Sequence, residues 1–456
     1  MKSANPTPER DRGKACFITF GCQMNKLDSE LAAGEFLRAG VSVTANPDEA
    51  GVVIINTCSV RRHAEQRALS NLGRFKRAKK QCPELVLVVM GCMAQKEGEA
   101  LLGAYPCLDV VCGTKHFAEL PALVKRVRSE RGRYAVTGDA PVRFDRAAAA
   151  RPDRWRAFVS VLRGCNSFCS YCIVPYVRGR ETSRPPAEVE DEVRRLADDG
   201  CVEITLLGQN IDAYRHGDTD LAALLAQLDP IPGLRRLRFV TSHPKDISDR
   251  LLRAMADLPS VCEHLHMPAQ SGSTKILRAM NRGYTAERYR EIAASARETV
   301  PGVGIASDFI VGFPGETDDD FAATVELVRE CRFSQSFIFK YSPREGTKAA
   351  RMTDDVPQGT KEARNHELLS VQEDVSRAEN EAKVGRSLEV MVEGVSKRDP
   401  GRLTGRTRGN DIVVFPRHAG AEPEPGALAE VRITDSTPLT LFGEAEGVRS
   451  RFTSTA

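Results

Sequence analysis

The chain has 456 residues, enough for two or three domains with their own cores. Its 65 Lys and Arg nearly balance its 62 Asp and Glu, leaving a formal charge of +3, so nucleic-acid binding would need local basic patches. No run of eighteen apolar residues exists to span a bilayer, the opening "MKSANPTPERDRGK" has no apolar core of a secretory signal, and 13 cysteines, an odd number, argue against a disulfide framework. The expected setting is a reducing cytoplasm, with cysteine used for metal, cluster or redox chemistry.

In chain order, a polar tail (1–14) precedes an α/β unit (15–127). Its runs "CFITF", "GVVIIN" and "ELVLVVM" read as buried strands, with helices over Ser29 to Ala39 and His63 to Lys80 between them. Strand–helix alternation implies a parallel sheet. Residues 128–154 are charged and rich in breakers, and read as a linker. A longer β/α series occupies 155–383, with strands "AFVSVL", "EITLLG", "RLRFVTS", "EHLHMP", "GIASDFIVGF" and "SQSFIFKYS". Helices cover Pro186 to Asp199, Ile247 to Ala256, Thr285 to Glu298 and Thr317 to Glu330, and one charged helix runs from Gln358 to Lys383. Six such units predict a partial (β/α)6 barrel. Five short strands with Gly, Pro and Asp turns then predict a small all-β barrel of the OB-like kind over 384–447, followed by a tail, 448–456.

Two cysteine sets carry the chemistry. "VLRGCNSFCSYC" places Cys165, Cys169 and Cys172 at C-x3-C-x2-C spacing just after a strand. Three thiolates wrapped around a four-iron cubane leave one iron open to chelation. A zinc site with a remote fourth ligand is the alternative. The second set is dispersed: Cys22, Cys58 and Cys92 each follow a predicted strand, and the carboxyl ends of parallel strands share one edge where ligands gather. They would converge in space although distant in sequence; three buried core cysteines are the plainer alternative. Cys16, Cys82, Cys107, Cys112, Cys201, Cys262 and Cys331 lack such placement and read as structural.

The C-x3-C-x2-C stretch, with Tyr171 before its last cysteine, resembles the signature of the radical S-adenosylmethionine (SAM) superfamily. "LLGQN", "MPAQSGS" and "SDFIVGFPGET" resemble the edges where that superfamily contacts SAM, which makes Tyr171, Gly208, Gln209, Asn210, Ser271, Asp308 and Gly312 candidate contacts. A simple turn is the alternative for Gly312 and Gly315. With the three-cysteine N-terminal unit and the β domain, which resembles TRAM, an RNA-binding barrel, the chain is similar to the methylthiotransferases over nearly its whole length.

That resemblance implies two [4Fe-4S] clusters, on Cys165, Cys169 and Cys172 and on Cys22, Cys58 and Cys92, with SAM on the first and the sulfur to be inserted on the second. One SAM would methylate that sulfur. Another would yield a 5′-deoxyadenosyl radical that removes a hydrogen from carbon 2 of an adenine. "TFGCQMN", "NTCSVR", "LLGQN" and "TSHP" resemble the subfamily acting on isopentenyl-modified adenosine beside the tRNA anticodon (the MiaB type). "YSPREGT" departs from the usual form, which has Pro in place of Glu345. The alternatives are a methylthiotransferase for threonylcarbamoyl-adenosine and a non-catalytic zinc-dependent RNA-binding protein. Expected partners are the tRNA anticodon stem-loop, an electron donor and a sulfur source, with no membrane and a monomeric chain. RNA contact is expected on the β domain, through Lys397, Arg398, Arg402, Arg406 and Arg408, and on the basic helix from Arg61 to Lys80; a structural cap and a solvated helix face are the plainer readings of each.

Overall fold

The structure, a computed structural model, describes residues 10–59, 62–141, 150–417 and 423–449. The chain divides into two compact units. The first comprises residues up to Pro152 together with the segments Arg163–Asn166 and Cys172–Thr182; the second holds the remainder.

The first unit is a six-stranded sheet. Its order is Ser42–Val43, Asp11–Thr19, Ala50–Thr57, Val86–Gly91, Val110–Cys112, Tyr134–Val136, and every pairing is parallel. Ala50–Thr57 and Val86–Gly91 are buried along their whole length, as strands covered by helices on both faces must be. The helices are longer than expected. The first covers Gln23–Arg38, because Asn25, Asp28 and Ser29 in its opening turns are buried rather than solvated. The second covers Arg62–Gln81. The linker expectation is corrected in part. Helix Leu120–Glu130 runs through position 128, and Tyr134–Val136 pairs with Val110–Cys112 as the last strand of the sheet. A three-residue strand is too short for its periodicity to show. The heart of the expected linker, 142–149, lies outside the described residues, as do most of the N-terminal tail and the end of the C-terminal one.

The second unit opens with six parallel strands in two sheets: Arg236–Val240, Glu203–Leu207, Arg156–Ser160 and His264–His266, Gly304–Val311, Gln335–Lys340. A parallel bridge from Leu237 to Val261 links them into one curved series in chain order, the expected partial barrel. Helices pack outside, several of them started by side-chain caps: Asp220, Ser248, Ser273, Thr285 and Thr317, the last with a capping box to Asp320. Helix Leu221–Leu228 and the short helix Thr274–Ala279 add to those expected. After helix Gln358–Glu381, five strands close a small barrel in the order Ser387–Val395, Arg402–Thr407, Ile412–Pro416, Thr440–Arg449, Leu428–Thr437.

This small barrel packs against the amino ends of the larger barrel's strands. Arg236, wholly buried at the start of its strand, ion-pairs with Glu389 at 2.9 Å and donates to the Arg406 carbonyl at 2.8 Å. Arg238 donates to the carbonyls of Thr407 and Arg408, and Arg408 ion-pairs with Glu263 at 2.8 Å. Trp155, just before the first strand, packs with Val202, Met391 and Leu428. A Cβ on Gly426, whose φ is +91°, would sit 2.6 Å from the Trp155 Cβ.

Trp155 is the only tryptophan of the chain, so its fluorescence reports on this contact. Arg236→Met would leave buried carbonyls of Glu389 and Arg406 without their donor. The expected cost is about 1–3 kcal/mol, read as an earlier urea midpoint of tryptophan fluorescence. An unchanged midpoint would show that the contact contributes nothing.

Candidate functional site

Three strand ends of the first unit carry the dispersed cysteines. Cys22 follows Asp11–Thr19 and caps helix Gln23–Arg38; Cys58 directly follows Ala50–Thr57; Cys92 directly follows Val86–Gly91 and begins a short helix. The first strand has Ser42–Val43 on one side and Ala50–Thr57 on the other, so strand order reverses between Cys22 and Cys58. In open α/β sheets that switch point is where ligands bind. The thiols meet there. Cys58 hydrogen-bonds Cys22, and this bond, helped by the Arg178 charge and backbone donors and opposed by burial, holds the Cys22 thiol down at about 6. Burial pushes the Cys92 thiol up, with Arg178 pulling the other way and Cys22 and Asp28 adding to the rise.

The glycines before two of these cysteines are required by the close approach. Gly21 (φ +131°) has no room for a Cβ, which would lie 2.5 Å from the Cys58 Cβ; a Cβ on Gly91 (φ +97°) would lie 2.3 Å from Asn56 Oδ1. Asn25 and Asn56 knit the edge together. Asn25 Nδ2 donates to Asn56 Oδ1 and the Thr57 carbonyl, both at 2.9 Å, while Cys22 Sγ donates to Asn25 Oδ1 at 3.2 Å.

Sequence reasoning missed the charges behind the trio. Asp28, with a side chain 1% exposed, ion-pairs with Arg178 at 2.9 Å and Arg163 at 3.1 Å, both themselves buried. Burial works against the Arg178 charge, but Cys92, Asp28 and Cys22 outweigh it and hold its proton more tightly than usual. The only sequence signal was one arginine on each side of the C-x3-C-x2-C motif, Arg163 in "VLRGC" and Arg178 in "PYVRGR"; nothing local tied them to a helix well over a hundred residues earlier.

The second cysteine set lies on one loop whose parts belong to different units: Cys165 and Cys172 cluster with the first, Cys169 with the second. Cys165 and Cys169 are buried and Cys172 is half-buried. In the first unit the Cys165 N–H donates to the Gly179 carbonyl at 3.1 Å, and Gly164 (φ +82°) lies so close that a Cβ would touch the Arg180 carbonyl. In the second unit Arg282, fully buried, donates to Cys169 Sγ and the Tyr171 hydroxyl at 3.4 Å and to the Pro268 carbonyl at 2.9 Å. All thirteen cysteines are free thiols.

Among the candidate SAM contacts, Asn210 is buried and bonds Asp246 through Nδ2, while its Oδ1 has no partner. Ser160 Oγ, His243 Nε2 and His266 Nε2 are also buried without hydrogen-bond partners. These four atoms stand at or just beyond the carboxyl ends of four successive barrel strands. Such orphaned groups suit a polar ligand. Asp308 lies 3.4 Å from His266 Nε2. Tyr171 packs beside Phe313 and Tyr341, and Gln209 is half-buried next to Asn210. Two candidates are engaged by the fold instead. The Ser271 hydroxyl meets Thr324 and the Ser273 amide, and Gly312 (φ +71°) is a turn glycine whose N–H donates to Glu316 and whose open side is filled by Lys361. Gly208 likewise abuts Ile211.

The residue types suit iron–sulfur ligation: both sets are all thiol, and a buried guanidinium lies near Cys92 in the first unit and beside Cys169 in the second. Among the described residues no group of three His, Cys, Asp or Glu side chains is placed to hold a metal ion. A single tetrahedral ion needs sulfurs about 2.3 Å from one centre. A cubane takes one thiolate per iron and so a wider spacing.

The expected basic patch of the small barrel is corrected. Arg406 pairs with Glu393 and Asn410, and Arg408 with Glu263, so both serve internal contacts. Lys397 and Arg398 remain exposed, and Arg402 pairs with Asp399. On helix Arg62–Gln81 the apolar face of Ala68, Leu72 and Phe75 is buried, while Arg67, Lys76, Arg77 and Lys80 are exposed. Arg61 and the side chains of 62–64 lie outside the described residues.

Family models match along the chain in order: an uncharacterized protein family, UPF0004, over 14–113, the radical SAM superfamily over 159–328 and the TRAM domain over 381–445. A tRNA-2-methylthio-N(6)-dimethylallyladenosine synthase from Moorella thermoacetica is 44% identical over 434 residues, covering 94% of this chain and 97% of that one. Enzymes of the same name from Rhodopirellula baltica (43%, 94% and 95% covered) and Chromobacterium violaceum (44%, 95% and 98%) are similarly close. Among solved structures, the radical SAM methyltransferase TsrM from Kitasatospora setae shares the fold, with a TM-score of 0.54 at 15% identity over 75% of this chain and 77% of that one. Similarity of this extent, running through all three matched regions, leaves the zinc-dependent binding protein and the threonylcarbamoyl-adenosine enzyme without support: the chain belongs to the tRNA-2-methylthio-N(6)-dimethylallyladenosine synthases of the radical-SAM superfamily.

Proposed function

We infer that this chain converts N6-isopentenyladenosine beside the anticodon of tRNA to its 2-methylthio derivative, and that it does so with two [4Fe-4S] clusters. Cys165, Cys169 and Cys172 would hold one and Cys22, Cys58 and Cys92 the other. The observation that carries this reading is the meeting of three thiols from three separate strand ends at the sheet's switch point, in a unit that also includes Cys165 and Cys172. When bound, the clusters and SAM supply one-electron cleavage of the sulfonium and a store of sulfur.

The chain's own residues account for the rest. A lone-pair nucleophile cannot readily displace the hydrogen of an unactivated aromatic carbon, which is why two cysteine sets occur in one chain. Three thiolates rather than four in each set leave one coordination position open for exchange. Asn210, His243, His266 and Ser160 offer unpaired polar atoms where SAM's own polar groups would lie. Arg282 and Arg178 offset the negative charge of the thiolates they adjoin. Exposed cations on helix Arg62–Gln81, with Lys397 and Arg398, set the register of the anticodon stem through its phosphates, and the target base is splayed out of its loop. An external electron donor and sulfur source are required. The chain works as a monomer in the cytoplasm.

Four outcomes are expected. Nucleosides from tRNA of a deletion strain should accumulate unmethylthiolated isopentenyladenosine; an undiminished level of the methylthio product sinks the assignment. Anaerobic reconstitution should give about eight irons per chain. Cys165→Ala and Cys58→Ala should each abolish product, and only the former should also abolish 5′-deoxyadenosine formation, whereas loss in both contradicts separate roles. Finally, a chain carrying Lys76→Ala, Arg77→Ala and Lys80→Ala should bind tRNA more weakly, with a slope of log affinity against log salt shallower by about 2–3. An unchanged slope would remove this helix from the RNA interface.

A further inference from the structure

Inside the first unit one carboxylate, Asp28, faces two guanidinium groups, Arg178 and Arg163. All three are at least nine-tenths buried, so their charges act on neighbouring groups with little screening by water. Arg163 spends part of its charge over the Phe117 ring, 5.6 Å away. Arg178 lies on the thiol side of the unit: Val177, the residue before it, packs against Cys92, and the Arg178 charge acts on both Cys92 and Cys22.

The backbone around Arg178 holds it there. The short helix Val174–Arg178 packs Val177, together with Ile173 before it, against Cys92. The Val177 carbonyl accepts from Thr114 Oγ1 at 2.7 Å, and the Gly179 carbonyl accepts from the Cys165 amide at 3.1 Å. Asp28, which aims the guanidinium, belongs to the helix that Cys22 caps. The stretch that begins at Cys172 therefore ends, six residues later, in a cation seated on the other cysteine set. Hydrogen bonds and fixed charges at ligand sulfurs set the potential of an iron–sulfur cluster.

We propose that Arg178, held by Asp28 on the helix that packs against Cys92, is a positioning residue for the N-terminal cluster: its buried charge raises that cluster's reduction potential. The proposal rests on the reading that Cys22, Cys58 and Cys92 hold a cluster. The test uses the full chain with Cys165→Ala, Cys169→Ala and Cys172→Ala, reconstituted anaerobically with iron and sulfide and titrated by redox potentiometry with EPR detection. This parent should hold about four irons and show one midpoint. Adding Arg178→Gln should move the midpoint to more negative values at the same iron content, and Arg178→Lys should recover part of the shift. An unmoved midpoint in a fully loaded Arg178→Gln chain overturns the proposal and leaves the cluster reading standing. A parent that takes up no cluster overturns both. Should Arg178→Gln fail to load, Arg178→Lys decides: a midpoint below the parent's supports the proposal, and the parent's own midpoint overturns it.

Discussion

If the three thiols of the first unit ligate iron as proposed, they must become anions in a buried setting, and an uncompensated buried anion is among the most costly things a protein can hold. Much of the first unit follows from that constraint. The parallel sheet brings the three cysteines to one edge because each sits where its strand stops. Cations within the same unit then arrive from a segment far away in the chain, anchored on Asp28. The buried asparagines complete the arrangement: Asn25 accepts a hydrogen bond from Cys22 Sγ at its Oδ1 and, through Nδ2, ties down the neighbouring strand. The opening turns of helix Gln23–Arg38 are polar and yet buried because their side chains pair with the buried groups around the thiols.

The second unit obeys a different constraint, that a barrel has two ends. At the carboxyl ends of its strands collect buried polar atoms of Ser160, Asn210 and His243 without hydrogen-bond partners, and His266 faces Asp308 beside them. The amino ends would otherwise expose buried arginines, and the five-stranded barrel covers them, supplying carbonyls and Glu389 to Arg236 and Arg238. The β domain is thus a structural cap as well as a candidate RNA module. Its basic stretch divides accordingly. Arg408 reaches Glu263 across that contact, Arg406 pairs with Glu393 and Asn410 inside the small barrel, and Lys397 and Arg398, at a turn, face solvent.

The sequence was most legible where burial is uniform or spacing is local. Continuous apolar runs such as "GVVIIN" cannot be anything but buried strands in a chain of this composition, and three cysteines within eight residues form a loop whatever surrounds them. The dispersed trio was legible one step further, since a cysteine at the exit of each of several parallel strands inherits its place from the topology. What stayed hidden depends on partners remote in the chain. Asp28 looks like an ordinary surface residue of an amphipathic helix until Arg178 is beside it, and Arg408 looks like a phosphate ligand until Glu263 is. Short strands such as Ser42–Val43 and Tyr134–Val136 have too few residues for a period to appear, and the edges of the sheet were invisible on that account.

The glycines make the same point with the opposite sign. Gly312 and Gly208 were candidates because their segments resemble SAM-contacting edges, but the space each leaves is taken by Lys361 and Ile211 of this same chain. Gly21 and Gly91 attracted no comment in the sequence, yet a single methyl on either would collide with Cys58 or Asn56 at the edge where the thiols meet. A glycine states that something is near; only the fold says whether the neighbour is a ligand, a lysine or the next cysteine. At Gly21 and Gly91 the neighbour is the cysteine edge itself, so the residues before Cys22 and Cys92 are as much a part of that site as the thiols they precede.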